Sequence, residues 1–342
     1  MRLALIKWLI VGLGGLAALA TLAAWYGPRL VYSRFGDLAL EKDETGLSPE
    51  QAAAIGQGLA GLGGVRGRVV WSSSRSGGHE LYLLHLPGLR LERLTRNDHV
   101  DYFARFSPDG KSIVFARSTE PWVSERDYDR WDAYLLDLAT GQERLVASHA
   151  NFPQWVDAGR VSFMRGAQVV VHELASGSER VVYDGEKSPV GGRIETPELC
   201  QANPNLLALT ARGRMQGVLV ADLATGGQVF YGDGCEITWY PGCQRVLWVD
   251  NRGRGGTRML DSPYPAKEPA PHMDLPGSHS HEYFPRLSRD GRWMVWGASA
   301  GGHEHDIADY EIFLWRLDQP AATAVRLTYN PANDRWPDIF LD

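Results

Sequence analysis

Two short segments carry the residue types that bind metals. Ser278-His279-Ser280-His281-Glu282 and His303-Glu304-His305-Asp306 each place two imidazoles one residue apart beside carboxylates. Imidazole and carboxylate donors suit zinc, manganese or iron, and a His-x-His segment in extended conformation can turn both rings toward one ion. Neither segment is an HExxH helix motif. The competing reading is that these are solvated loop histidines. Nucleophilic hydrolysis has less to work with: there is no G-x-S-x-G elbow, and the remaining Ser, His and Asp residues have no spacing that defines a triad.

The frame that must position these residues is globular. The chain has 342 residues, 44% hydrophobic and 22% charged, with 38 glycines, 19 prolines and a formal net charge of -6. An acidic balance gives no general attraction to phosphate backbones, so nucleic acid is not an expected partner. Three cysteines and no CxxC pair exclude a dense disulfide framework and a zinc knuckle.

Self-similarity shows the architecture. Tyr102-Phe103-Ala104-Arg105-Phe106-Ser107-Pro108-Asp109-Gly110 leads into Ser112-Ile113-Val114-Phe115, and Tyr283-Phe284-Pro285-Arg286-Leu287-Ser288-Arg289-Asp290-Gly291 leads into Trp293-Met294-Val295-Trp296. An Asp-Gly turn between apolar runs reads as a hairpin, because glycine supplies the positive φ of a tight turn. Asp137-Leu138-Ala139-Thr140-Gly141 returns as Asp222-Leu223-Ala224-Thr225-Gly226, and Arg93-Leu94-Thr95 as Arg326-Leu327-Thr328. Marks at Ala104, Pro153, Pro197, Ile237, Pro285 and Pro337 recur at intervals of 40 to 52 residues. A period in the forties with β-branched and aromatic runs predicts an all-β, six-bladed propeller over 68–342. The sixth mark lies in a final strand with no hairpin partner after it. Its partner is expected at Arg68-Val69-Val70-Trp71, so that the C-terminal strand becomes the innermost strand of the first blade and closes the ring.

The Phe-Ser-Pro-Asp-Gly-Lys-Ser-Ile-Val-Phe run at 106–115, with the later Tyr-Leu-Leu-Asp-Leu and Arg-Leu-Thr, resembles the repeats of TolB-like β-propellers. The resemblance implies that the run before Ser-Pro-Asp-Gly is the inner strand of each blade. It does not extend to the additional α/β domain of TolB, for which 28–67 is too short, so a Tol–Pal role is not implied. The repeats are also similar to the propellers of prolyl-oligopeptidase-type peptidases and of oligogalacturonate lyases, the latter implying a propeller-borne metal.

With this topology the Asp-Gly turns share one face, and the loops entering the inner strands share the other. That second face collects His79, His99, His149, His279, His281, His303 and His305. Asp101, Glu195, Glu282, Asp334 and Arg335 fall just before inner strands and are expected near the central channel. Two long loops, 120–130 with Trp122, Tyr128 and Trp131 at or beside it, and 300–309, complete a candidate funnel for ligand. The competing reading is ordinary loop polarity. Two functions follow: a module that binds or scaffolds envelope proteins or polymers, or a metal-dependent polysaccharide lyase with His279, His281, His303 and His305 converging on one ion. No cofactor is required by the first.

The cysteines leave an alternative open. Cys235 and Cys243 sit at opposite ends of a predicted inner strand, beyond disulfide reach, whereas Cys200 and Cys243 fall on one face in adjacent blades, either bonded or packed as thiols. At the N-terminus, Arg2 and Lys7 precede an apolar run from Trp8 to Tyr26, 19 residues long and just sufficient to cross a bilayer. An uncleaved anchor over 1–27 is expected, a signal peptide cleaved near Ala18-Leu19-Ala20 being the alternative; both export the rest. In the linker 28–67, Ser48, Pro49 and Gln51 spell a capping box opening a short helix.

Overall fold

The computed structural model describes residues 45–342; the expected membrane segment 1–27 and the first part of the linker lie outside them. No helix among the described residues is long and apolar enough to cross a membrane. Helix α1 (Pro49–Gly61) begins at the expected box: Ser48 Oγ accepts the Gln51 N–H at 3.2 Å, and the Gln51 side chain accepts the Ser48 N–H at 2.8 Å. Its buried side, Ile55 and Leu59, packs on the outside of the ring with Val325 and Leu327.

Six four-stranded antiparallel sheets make the ring. The first blade holds β1 (Gly67–Ser73), β2 (Glu80–Leu86) and β3 (Arg90–Arg93); the second β4 (Asp101–Phe106), β5 (Ser112–Ser118), β6 (Trp131–Asp137) and β7 (Glu143–Ala147). The third holds β8 (Asn151–Trp155), β9 (Arg160–Arg165), β10 (Gln168–Glu173) and β11 (Glu179–Asp184), and the fourth β12 (Ile194–Cys200), β13 (Asn203–Arg212), β14 (Gln216–Asp222) and β15 (Gln228–Gly232). The fifth runs β16 (Cys235–Trp239), β17 (Arg245–Asp250), β18 (Arg258–Pro263) and β19 (Ala270–Met273); the sixth β20 (His281–Leu287), β21 (Trp293–Ser299), β22 (Tyr310–Arg316) and β23 (Val325–Arg326). The last strand, β24 (Asp334–Leu341), pairs antiparallel with β1, Gly67 opposite Leu341 and Ser73 opposite Asp334, and supplies the innermost strand of the first blade. All six marks fall on innermost strands.

Turn chemistry repeats with the strands. Asp109 accepts from Ser107 and Lys111, as Asp290 does from Ser288 and Arg292. Gly110 sits at φ 69°, and a Cβ there would meet the Phe340 ring at 2.5 Å, so this turn needs glycine on two counts. The two Arg-Leu-Thr copies are inter-strand clamps. Thr95 Oγ1 accepts the Leu81 N–H and Thr328 Oγ1 the Ile312 N–H, both at 2.9 Å, while Arg93 pairs with Glu80 and Arg326 with Glu311.

One irregularity repeats six times and shapes the channel. Each innermost strand breaks register at a bulge, and the residue before each mark has a left-handed backbone: Phe103, Phe152, Thr196, Glu236, Phe284 and Trp336, with φ between 45° and 61°. Positive φ at non-glycine residues costs about 1–2 kcal/mol each. Four of the six are followed by proline, which has no N–H to leave unpaired at a bulge. The compensation is aromatic packing: Phe103 meets Phe152 at 4.3 Å and Trp336 at 4.4 Å, and Trp336 meets Phe284 at 4.2 Å between ring centroids. These four rings plug the channel, and no residue lines the cavities at both of its ends.

Candidate functional site

On the face bearing the loops that enter the inner strands, the channel opens as a cavity of about 660 Å³. Phe152 and Trp336 of the plug belong to its wall, with Thr196 and Glu236 from the same bulge row. Two long loops close one side by interlocking. Ser124 donates to Asp306 at 2.5 Å, Arg126 pairs with Glu304 at 2.7 Å, and Glu125 binds the His305 ring at 2.5 Å, the Trp336 indole at 3.2 Å and Arg335 at 3.2 Å. Arg335 also donates to the His305 carbonyl and the Tyr102 hydroxyl and is fully buried under this bridge. On the opposite wall, Glu195 accepts from Arg212 at 2.8 Å and from the Tyr128 hydroxyl at 2.7 Å, while Arg193 lies over the Tyr128 ring at 4.8 Å.

Burial sets the protonation of this cavity. Burial pushes the Glu236 carboxyl up to about 7, although His305 pulls the other way and the Phe284 N–H donates to it at 2.5 Å. Burial likewise opposes a charge on the His305 ring, but the Glu125 carboxylate outweighs it and raises His305 to about 9. Asp306 rises to about 6 through burial and Glu125. Burial and Glu236 hold the Cys235 thiol well above its ordinary range, so it remains a protonated thiol and not a nucleophile.

Of the sequence candidates, Glu195, His281, His303 and His305 line the cavity. Asp101, Glu282 and Asp334, expected near the channel, are instead fully buried structural acceptors off the cavity wall. Asp101 holds Arg117 at 2.7 Å and Asn97 at 2.9 Å, Asp334 holds Arg75 at 2.9 Å and Asn330 at 2.7 Å, and Glu282 holds the Leu275 N–H and Thr257. The reason is strand phase: neighbouring side chains point to opposite faces, so Glu195, Cys235 and Tyr283, one position further along, face the channel in their blades. His99 pairs with Asp98, and exposed His149 sits by the Asp129 carbonyl; both lie off the cavity wall, as does half-buried Trp122. Trp131 is core, stacked on Tyr102 at 5.1 Å.

Three of the four histidines expected to converge share the cavity wall, but their rings do not meet at one point. His281 and His303 stack at 6.2 Å, His305 turns to Glu125, and His279 packs on Phe313 at 5.7 Å. Among the described residues no group of three or more His, Cys, Asp or Glu side chains is arranged to hold a metal ion. Tyr128, expected with its loop, also lines the cavity, whereas Glu125, Arg193, Arg212, Glu236 and Tyr283 were not singled out in the sequence. For Glu236 and Tyr283 a signal existed in the two positions before each mark; for the loop residues there was none.

Cys200 and Cys243 form a disulfide with Cα atoms 5.9 Å apart, joining the innermost strand of the fourth blade to the first turn of the fifth, and Cys235 is free.

No family model matches the chain, and no curated protein matches it. Among solved structures, TolB from Acinetobacter baumannii is similar over 80% of this chain at 14% identity and a TM-score of 0.60; the chain spans 66% of that protein's length. A putative TolB from Agrobacterium tumefaciens is similar over 81% of this chain and 99% of its own, at 11% identity and a TM-score of 0.56. An oligogalacturonate lyase in complex with manganese superposes more loosely, over 74% of this chain and 72% of its own, at 14% identity and a TM-score of 0.45. At these identities the likeness is one of fold, and the fold it shows is the six-bladed β-propeller that the TolB structures share with this chain.

Proposed function

We propose that this protein is a binding and scaffolding module outside the cytoplasm, held at the membrane by its N-terminal apolar segment, whose cavity receives a charged segment of an envelope protein or polymer. The observation that carries the reading is the cavity itself: a blind, polar recess floored by packed aromatics, with acid-base pairs already formed on its walls. Pre-paired groups can exchange partners with an incoming charged chain at modest desolvation cost, and the fixed aromatic floor loses little entropy on binding. The Cys200–Cys243 bond fits an oxidising compartment, and the apolar run at 8–26 fits an anchor. Tethering would raise the local concentration of the module at its partner.

Site-specific photocrosslinking in cells tests this. Photoreactive residues at His303 and Arg193, on the cavity, should give discrete high-mass adducts; the same residue at Leu145 and Val181, exposed on outer strands, should not. Adducts from the outer strands alone would place binding elsewhere and sink the cavity reading.

A further inference from the structure

The opposite mouth of the channel, on the Asp-Gly turn face, holds a second cavity of about 280 Å³. Its inner wall is a ring contributed by the residue after each mark: Arg105, Gln154, Glu198, Thr238, Arg286 and Asp338. The bulge aims all six inward below the aromatic plug. The charges in this ring are unequally matched. Glu198 is ion-paired with Arg286 and accepts from Thr238 at 2.9 Å, and Asp338 accepts the Phe106 N–H at 2.8 Å. Among the described residues Arg105 makes no ion pair within 4 Å. It is 5% exposed, donates only through Nη1, to the Ala104 carbonyl at 2.6 Å and marginally to the Pro337 carbonyl at 3.5 Å, and its buried Nε has no partner. With Arg289 at the rim, three guanidinium groups meet two carboxylates. Burial together with Arg286 depresses the ionisation of Arg105 to about 9, the carboxylates of Asp338, Glu198 and Glu236 pulling the other way.

Two indoles give the remaining wall a rigid apolar part. Trp155 Nε1 donates to the Arg105 carbonyl at 3.0 Å and Trp239 Nε1 to the Glu198 carbonyl at 3.1 Å, so both indoles are fixed with their N–H groups engaged. Phe106, Leu287 and Ile339 add apolar surface, with the polar side chains of Gln201, Tyr240 and Ser288 beside them. A planar guanidinium matches the oxygens of a carboxylate better than a point charge does.

We propose that this lower cavity is a carboxylate-binding site, in which Arg105 binds the carboxylate within the guanidinium-rich ring and the tryptophan walls take an apolar body. A free apolar monocarboxylic acid and the C-terminal residue of a polypeptide present the same chemistry. The site is separate from the upper cavity, and neither depends on the other.

Isothermal titration of the full chain in non-ionic detergent, with benzoate, with N-acetyl-Ala-Ala-Leu and with the C-terminal amide of that peptide, tests the assignment. Saturable binding of at least one carboxylate and none of the amide is expected. Tighter binding of benzoate identifies a free acid as the ligand type, and tighter binding of the peptide identifies a chain end. R105M should weaken that binding at least tenfold while the variant keeps its folded near-ultraviolet circular dichroism. H303A, in the upper cavity, should bind as wild type. Should R105M fail to fold, R105K keeps the charge but lacks the planar guanidinium and must also lose tenfold. Absence of binding by both carboxylates, equal binding of the amide, or undiminished binding by the folded Arg105 variant overturns the proposal.

Discussion

Trp336 offers the sharpest test of how the ring is held together. It lies on the closing strand, 4% exposed, with Phe284 at 4.2 Å, Phe103 at 4.4 Å, and Phe152 and His305 at 6.3 Å, and its indole N–H donates to Glu125 at 3.2 Å. Truncation to alanine removes the centre of the plug, for which large-to-small substitutions cost about 3–5 kcal/mol. The lost hydrogen bond adds little, because Glu125 keeps His305 and Arg335. The backbone adds a second effect of opposite sign for glycine. At φ 55° alanine retains the left-handed penalty of about 1–2 kcal/mol, which glycine escapes, while glycine loses about 0.5–1 kcal/mol of extra chain entropy. W336G should therefore be more stable than W336A by about 0.5–1 kcal/mol, the reverse of their order in a regular strand. Urea unfolding followed by near-ultraviolet circular dichroism measures both differences. A loss below about 1 kcal/mol for W336A, well short of the expected cavity cost, would refute the plug as a stabilising element. A W336G less stable than W336A would refute the strain argument.

Stability should fall as pH rises, in two windows. Glu236, raised from 4.5 to about 7, contributes stability that is full below 4.5 and lost through 7. His305, raised from 6.5 to about 9, contributes stability that is full below 6.5 and lost through 9. Urea midpoints from pH 5 to 9.5 should decline accordingly, E236Q reducing the loss in the lower window, where Asp306 and Glu282 add to it, and H305N reducing the loss in the upper; a flat wild-type profile contradicts both assignments. Opening the Cys200–Cys243 bond by C200S should cost about 4 kcal/mol on the loop-entropy model for a sequence separation of 43 residues. An unchanged melting temperature would mean the two cysteines are not joined in the folded protein.

Much of this architecture is local and so was legible in the chain. The Ser48 capping box, the Asp-Gly turns at 109–110 and 290–291 and the apolar runs after them are decided by residues within a few positions of each other. The spacing of the six marks then implied six blades, and the unpartnered last strand implied closure against β1, because an open edge on either side would leave a row of unpaired backbone groups. The functional surface was legible only in outline. Asp101, Glu282 and Asp334 were expected beside the channel, but a strand alternates faces at every residue, and a shift of one position turns a channel side chain into a buried strut. The six bulges then reset that phase halfway along each inner strand, so that Cys235 lines the upper cavity and Thr238, three residues later, lines the lower one. Glu125 owes its role to a loop that interlocks with another about 180 residues further along the chain. Composition and periodicity determined what kind of ring this chain builds; bulge phase and loop interlock, which exist only once distant segments are in contact, decided which side chains the ring presents.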